Sequence, residues 1–295
     1  AVVGTVSGTS ISFGTPVVFE SAEVAKDELA IVFDSNANKV VIAYSDGGNS
    51  NHGTAIVGTV SGTSISFGTA VVFEAASTDE IFAAFDSNSN KVVISYQDEG
   101  NSNYGTAIVG TVSGTSISFG SAVVFEAATT VRPAISFDSN ANKVVIAYRD
   151  EGNSNHGTAI VGTVSGTSIS FGSAVVFEAA SSSRMFTTFD SNANTVVIAY
   201  RDEGNSNYGT SVVFQSQTLT TNLTTENYIG ISDAAYSDGA TATIQVAGAV
   251  DDAQSSLTPG QSYFVQNNGS LGLTAGDPSV FAGTAVATTK LIVKG

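Results

Sequence analysis

Four copies of the pentapeptide Asp-Ser-Asn-x-Asn, beginning at Asp34, Asp86, Asp138 and Asp190, set oxygen-bearing side chains at alternate positions, as the opening of a calcium loop does. A loop of that kind continues with a glycine and a distant bidentate carboxylate, whereas Lys39, Lys91 and Lys143 follow here and would oppose a cation. The same residues suit an Asx-stabilised hairpin turn, so no metal site and no cofactor are assigned. A second acidic loop runs Asp46-Gly47-Gly48-Asn49-Ser50-Asn51-His52-Gly53 and recurs from Asp98, Asp150 and Asp202. It could hydrogen-bond a glycan or a divalent ion, or it could be a solvated loop whose Asn and Gly supply left-handed backbone. His52, Tyr104, His156 and Tyr208 alternate at its end, a hint of aromatic contact.

Catalysis finds little footing. His52 and His156 occupy equivalent positions where the other copies carry Tyr, so neither is a unique general base, and no Ser/His/Asp or Cys/His arrangement exists. A two-carboxylate glycosidase needs its acids in different environments, and these acids are copied around the array. A sialidase-like propeller would show Asp-box turns ending in Trp, and the chain has none. The chain is therefore expected not to be an enzyme.

What differs between near-identical copies is more informative. Segments 21–32, 75–84, 127–136 and 179–188 diverge while their flanks barely change, and they place Lys26, Asp27, Glu28, Asp79, Glu80, Arg132 and Arg184 at related positions. Drift in a tolerant loop and selection for a contact both predict such divergence. With the His/Tyr set, these residues are the candidate ligand site.

The elements that must carry them are repeats. The Asp-Ser-Asn motif recurs every 52 residues, and Gly-Thr-Val-Ser-Gly-Thr-Ser-Ile-Ser-Phe-Gly starts at Gly4, Gly58, Gly110 and Gly162. In the second copy the apolar runs are 81–85, 91–96, 106–112 and 116–125, separated by Asn, Asp, Gly and Ser, which reads as a four-stranded antiparallel meander. Nearly continuous apolar runs such as Val-Val-Ile-Ala-Tyr suit strands covered on both faces. The expectation is an all-β protein whose tandem four-stranded repeats form a β-propeller, of four blades or part of a larger array. In that frame the variable segment is the inter-blade connection plus the innermost strand. Phe33, Phe85, Phe137 and Phe189 should then be buried in equivalent sites. Residues 1–20 could complete the blade begun at Met185, although 210–216 compete with Ala1 to Val6 for the same place. The chain opens on Ala1 in mid-repeat, which suggests a longer parent chain unless an initiator Met was simply removed.

Composition narrows the partners. With 26 acidic against 10 basic residues the net charge is −16, which repels a phosphate backbone, so no nucleic-acid partner is expected. No apolar run approaches the roughly 18 residues of a helical span and no basic-then-apolar leader is read, so no membrane insertion is expected. Without cysteine there is neither disulfide nor thiolate metal site.

After residue 218 the repeat stops, giving a repeat domain over 1–218 and a C-terminal β-module over 219–295, expected as a small β-sandwich or barrel. Residues 1–218 carry 8 basic and 20 acidic side chains, a charge of −12, against −4 in the module. Like charge would concentrate if the repeats associated side by side, so the oligomer contact is expected in the module, at Phe264, Leu271, Leu273, Val280 and Phe281.

Leu257-Thr258-Pro259-Gly260-Gln261-Ser262-Tyr263-Phe264-Val265, Gly269-Ser270-Leu271 and Val280 through Val293 resemble the terminal β-module of tail-fibre and structural proteins of tailed bacteriophages, marine cyanophages especially. The upstream repeats resemble propeller-like repeats in such fibres. That resemblance implies an exposed, extracellular, non-enzymatic virion protein, commonly a homotrimer in contact with other virion proteins. The repeats would then display a variable face to a host-surface glycan or protein, with a ligand-free spacer or capsid decoration as the alternative and a glycan-degrading propeller as a third.

Overall fold

The computed structural model describes residues 1–214, 228–234, 241–266, 270–275 and 279–294; of Lys26, Asp27 and Glu28 it describes the strand but not the side chains. About 63% is strand and 3% helix. The chain divides into two compact units, Ala1–Ser216 and Gln217–Gly295.

The first unit opens with the hairpin β1 (Gly4–Ser7) and β2 (Ser10–Phe13). Then come β3 (Val24–Asp34), β4 (Lys39–Asp46), β5 (His52–Ser61), β6 (Ser64–Phe67), β7 (Val71–Asp86), β8 (Lys91–Asp98), β9 (Tyr104–Ser113), β10 (Ser116–Phe119) and β11 (Val123–Asp138). The pattern continues with β12 (Lys143–Asp150), β13 (His156–Ser165), β14 (Ser168–Phe171), β15 (Val175–Asp190), β16 (Thr195–Asp202) and β17 (Tyr208–Phe214). All pairings are antiparallel, in the order β17-β16-β15-β13-β12-β11-β9-β8-β7-β5-β4-β3, with β6, β10 and β14 folded back on β5, β9 and β13.

The long strands change partner midway. β7 pairs through Val71 to Ser77 with β5, then through Thr78 to Asp86 with β8. β11 and β15 repeat this between their own neighbours, so each long strand ends one sheet and begins the next. Variable segments 75–84, 127–136 and 179–188 therefore lie wholly within long strands, while 21–32 enters β3 only at Val24. The run 116–125 is likewise two pieces, the end-hairpin strand β10 and the start of β11, because Gly120 bonds its N–H back to Val109 O and breaks the extended run.

Successive sheets pack face to face, which is why the runs are apolar on both sides of each strand. Val41, Ala43, Ala55 and Val57 of the first sheet meet Val92, Ile94, Tyr96 and Ile108 of the second. Val93, Ala107 and Val109 on the other face of the second sheet meet Val144, Ile146 and Tyr148 of the third. Each interface is keyed by rings: Phe73 sits 5.2 Å from Tyr96 and 5.7 Å from Phe119, and Phe125 repeats this with Tyr148 and Phe171. Gly53 is required beneath the Phe73 ring, since a Cβ there would lie 2.5 Å from it.

The four phenylalanines expected in the core are not its anchors. Phe33 is 55% exposed and Phe85, Phe137 and Phe189 are half-buried, because they end the innermost strands beside the Asp turns. The buried rings are Tyr44, Tyr96 and Tyr148, all at 0% exposure, with Tyr200 at 6%.

The start of the chain occupies the place of a preceding outer half-sheet. Ala1 and Val17 exchange two 2.8 Å backbone bonds, matching the Ala55–Val71 pair, and Phe19 packs on Tyr44 and Phe67 as Phe73 does on its own partners. Among the described residues no strand pairing joins residues 1–20 to β15, β16 or β17, so they do not complete the sheet begun at Met185.

The second unit holds β18 (Ile231–Ser232), β19 (Ile244–Gln245), β20 (Val250–Asp251), β21 (Ser262–Val265), β22 (Leu271–Gly272), β23 (Phe281–Ala287) and β24 (Lys290–Val293). Its described strands form a five-stranded sheet, β20-β24-β23-β21-β22, and a separate β18-β19 ladder, around Leu257, Tyr263, Ala285, Leu291 and Val293.

Candidate functional site

Asp34, Asp86, Asp138 and Asp190 spend their carboxylates on their own turns. Asp34 Oδ1 accepts from the N–H groups of Asn36 and Ala37 at 3.0 and 2.8 Å, and the other three copies repeat both bonds. At the opposite ends of the strands Asp46 accepts from Gly48 N–H, Asp98 from Asn101, Asp150 from Asn153 and Asp202 from Asn205, with Ser and Asn supplying the left-handed residues that follow. No group of three or more His, Asp or Glu among the described residues is placed to hold a metal ion.

Beneath these loops lies a repeated pair that the sequence reading missed. The hydroxyls of Tyr44, Tyr96, Tyr148 and Tyr200 donate to Glu20, Glu74, Glu126 and Glu178 at 2.9–3.1 Å. Burial first, then the facing carboxylate, raises all four phenols, Tyr200 to about 12 and the others further. Burial also raises the carboxyls of Asp98 and Glu126. The signal was available in the fixed spacing of 22 residues between Glu and Tyr in the last three copies.

The divergent residues gather at the loop end of the innermost strands. β7 bulges between Asp79 and Phe82, β11 between Val131 and Ala134, β15 between Ser183 and Phe186, and β3 between Ala25 and Leu29. Glu80, Arg132 and Arg184 sit in the first three bulges with φ of 52°, 51° and 55°, left-handed backbone that favours glycine. Every other non-glycine at positive φ among the described residues is Asn or Ser. Asp79 Oδ1 accepts the Glu80 N–H at 2.9 Å, and Arg132 Nε lies 3.8 Å from Glu80 Oε2, linking neighbouring strands. Arg184 is exposed. The side chains of Lys26, Asp27 and Glu28 lie outside the described residues.

The His/Tyr set lies alongside. His52 is opposite Ser77, two residues before Asp79; Tyr104 is opposite Thr129, three before Arg132; His156 is opposite Ser181, three before Arg184. Tyr208 begins β17 and is 61% exposed, and among the described residues no later long strand pairs beside it. Arg149 reaches Asn155 Oδ1 at 2.9 Å and Glu151 at 3.4 Å, holding its loop closed.

No family model matches the chain. No curated protein matches it either.

Below the bulges the four innermost strands border a cavity of about 330 Å³, whose walls include Leu29, Ile31, Ile81, Phe82 and Phe186, with Arg132 its one charged side chain. The apolar lining was also missed in the sequence. Its signal is the alternation Ala30, Phe82, Ala134, Phe186 at one repeat position, three of which line the cavity.

Of the module residues expected at an oligomer contact, Val280 is 1% exposed and serves the unit's own interior. Phe264 and Phe281 pack ring to ring at 5.7 Å and are half-buried, as is Leu271, while Leu273 is 55% exposed.

Proposed function

We propose that the chain is a non-enzymatic structural protein of a virion fibre or appendage, whose stacked sheets are blades of a propeller presenting the bulge face to a host-surface glycan or protein. The observation that carries the reading is the left-handed bulge. A side chain with a Cβ costs about 1–2 kcal/mol in that conformation, and glycine or asparagine would relieve it. Retaining Glu80, Arg132 and Arg184 there, while every other such position in the described chain uses Asn, Ser or Gly, points to selection for the side chains themselves. Several copies on one particle would add avidity to weak single contacts.

The phage-fibre likeness of the module supports the virion setting, together with a homotrimer and neighbouring virion proteins as partners. Leu273, with the half-buried Phe264, Leu271 and Phe281, offers the module one apolar surface for that association. The acidic charge argues against nucleic acid, and among the described residues no helix is long and apolar enough to cross a membrane.

The test is a glycan array and host-cell binding with the whole protein and with the Arg132→Gly/Arg184→Gly double variant. Binding lost in a variant that melts no lower than the parent supports attachment through the bulges. Equal binding by both proteins removes the bulges from the contact, and no binding by either leaves the spacer reading.

A further inference from the structure

The interfaces between successive sheets use the same repeat positions each time. Val41 and Ala43 of the first sheet, at 0% exposure, pack with Ala30 and Val32 on Ile81, Val92 and Ile94 of the second, and on Phe85 at its inner edge. Val93 meets Val144 and Ile146 in the next interface, and Val145 and Ala147 meet Met185, Val196 and Ile198 in the one after.

Both halves of this interface recur, uncovered, at the two ends of the repeat unit. The fourth sheet, formed by the second half of β15 with β16 and β17, carries Phe186, Val197 and Ala199 at the positions of Ala30, Val41 and Ala43. Phe186 lies directly opposite Ala199 across the β15–β16 ladder, so the two share a face; Phe186 is 58% exposed and Ala199 is exposed as well. At the other end Leu29, Ile31 and Phe33 of β3 stand at the positions of Ile81, Ala83 and Phe85. Leu29 is 50% and Ile31 62% exposed, whereas Ile81 inside the stack is 3% exposed. Phe19 covers the outer part of that face, against Tyr44 and Phe67, and leaves the inner part open. One end thus presents the half that each sheet offers to the next, and the other end presents the half that receives it.

We propose that these end faces dock head to tail between two copies of this chain, the fourth sheet of one copy on the first sheet of the next. The repeat itself names the occupant: the surface matched to either end is the opposite end, since the interfaces within the chain are built from those same positions. The two patches differ, so the contact is heterologous and leads to a ring or an open array. Charge opposes it little. Residues 182–214 hold Arg184 and Arg201 against Asp190, Asp202 and Glu203, 2 basic and 3 acidic side chains, or −1 of the −12 on the repeats. Residues 211–214 repeat the positions of 1–4, so these two stretches compete at the junction, and β15 and β16 carry the contact. This contact is separate from the one proposed for the second unit, and neither requires the other.

Sedimentation velocity of the full chain tests it, with the Ile31→Glu/Ala199→Glu double variant as the baseline for any association made elsewhere. The parent's mass should exceed that baseline and rise with concentration. Ile31→Glu and Ala199→Glu, both at exposed positions, should melt with the parent and each fall to the baseline, because burying an unpaired carboxylate weakens a contact by about a hundredfold. Ile31→Lys and Ala199→Lys stand in for a glutamate variant that melts lower. An equal mixture of the two single variants should rise above the baseline again, since each keeps one sound end, and a self-paired contact would not recover in this way. A parent that stays at the baseline at every concentration overturns the proposal. Single variants that associate as the parent does overturn it too, as does a mixture that remains at the baseline.

Discussion

Arg184 is the clearest case of a residue whose backbone and side chain want different things. Its φ of 55° favours glycine, yet it carries a long cation into solvent. Arg184→Gly should therefore raise stability by about 0.5–1 kcal/mol, the relief of left-handed strain less the added entropy of an unfolded glycine. Denaturant titration reads the gain, and a loss of stability would mean that the side chain's contacts outweigh the strain. Tyr96 makes the opposite case, because backbone, burial and hydrogen bond agree. Tyr96→Phe keeps the ring but leaves Glu74 without its donor, and should cost about 1–3 kcal/mol in the same titration. The bulge residues were legible in the sequence as a divergent set, since four near-identical copies expose any position that departs. Their left-handed conformation was not, because Glu and Arg carry no turn signal. It comes from the register shift in each long strand's pairing with the strand that follows it, which a single run of residues does not display.

At the scale of the strand, the repeat period, the turns and the double-sided burial could all be read from residue types. The partner exchange within β7, β11 and β15 could not, because a continuous apolar strand has the same composition whether it serves one sheet or two. That is also why Phe73 was overlooked and Phe85 overvalued: the partner change places Phe73 under the next sheet's Tyr96, while Phe85 is left at the inner edge. Phe73→Ala should cost about 3–5 kcal/mol, and Phe85→Ala distinctly less. Thermal melts of the two variants compare them directly. The Tyr–Glu pairs add a pH limit. A phenol raised above its ordinary value of 10 binds its proton more tightly in the folded chain, so its contribution is present below pH 10 and is lost as pH rises through the folded value, about 12 for Tyr200. Stability should fall from pH 10 upward, and much of the phenolate absorbance should appear with unfolding rather than before it. Full ionisation of all the tyrosines in a protein still folded would contradict this.

For the whole molecule, the proposed association through the second unit rests on its lower charge, since exposed apolar side chains occur in both units. Leu273→Asp in the full chain should lower the oligomer mass in sedimentation velocity, and Val280→Asp should instead unfold that unit, since Val280 is interior. An unchanged mass for Leu273→Asp would move the contact elsewhere. The module's core was only partly legible, because its strands are short, four of those described being two residues long, and short strands leave little periodicity to read. The shared strands of the repeat unit bear on inheritance as well. Because each long strand hands the chain from one sheet to the next at the same register, adding or removing 52 residues restores every interface type: Phe on Tyr, Glu under Tyr, Val-Ala against Ile. Near-identical copies are also where genes misalign during recombination. Array length can thus change by whole units in one genetic event without a new fold being needed, and each added unit brings one more bulge free to diverge.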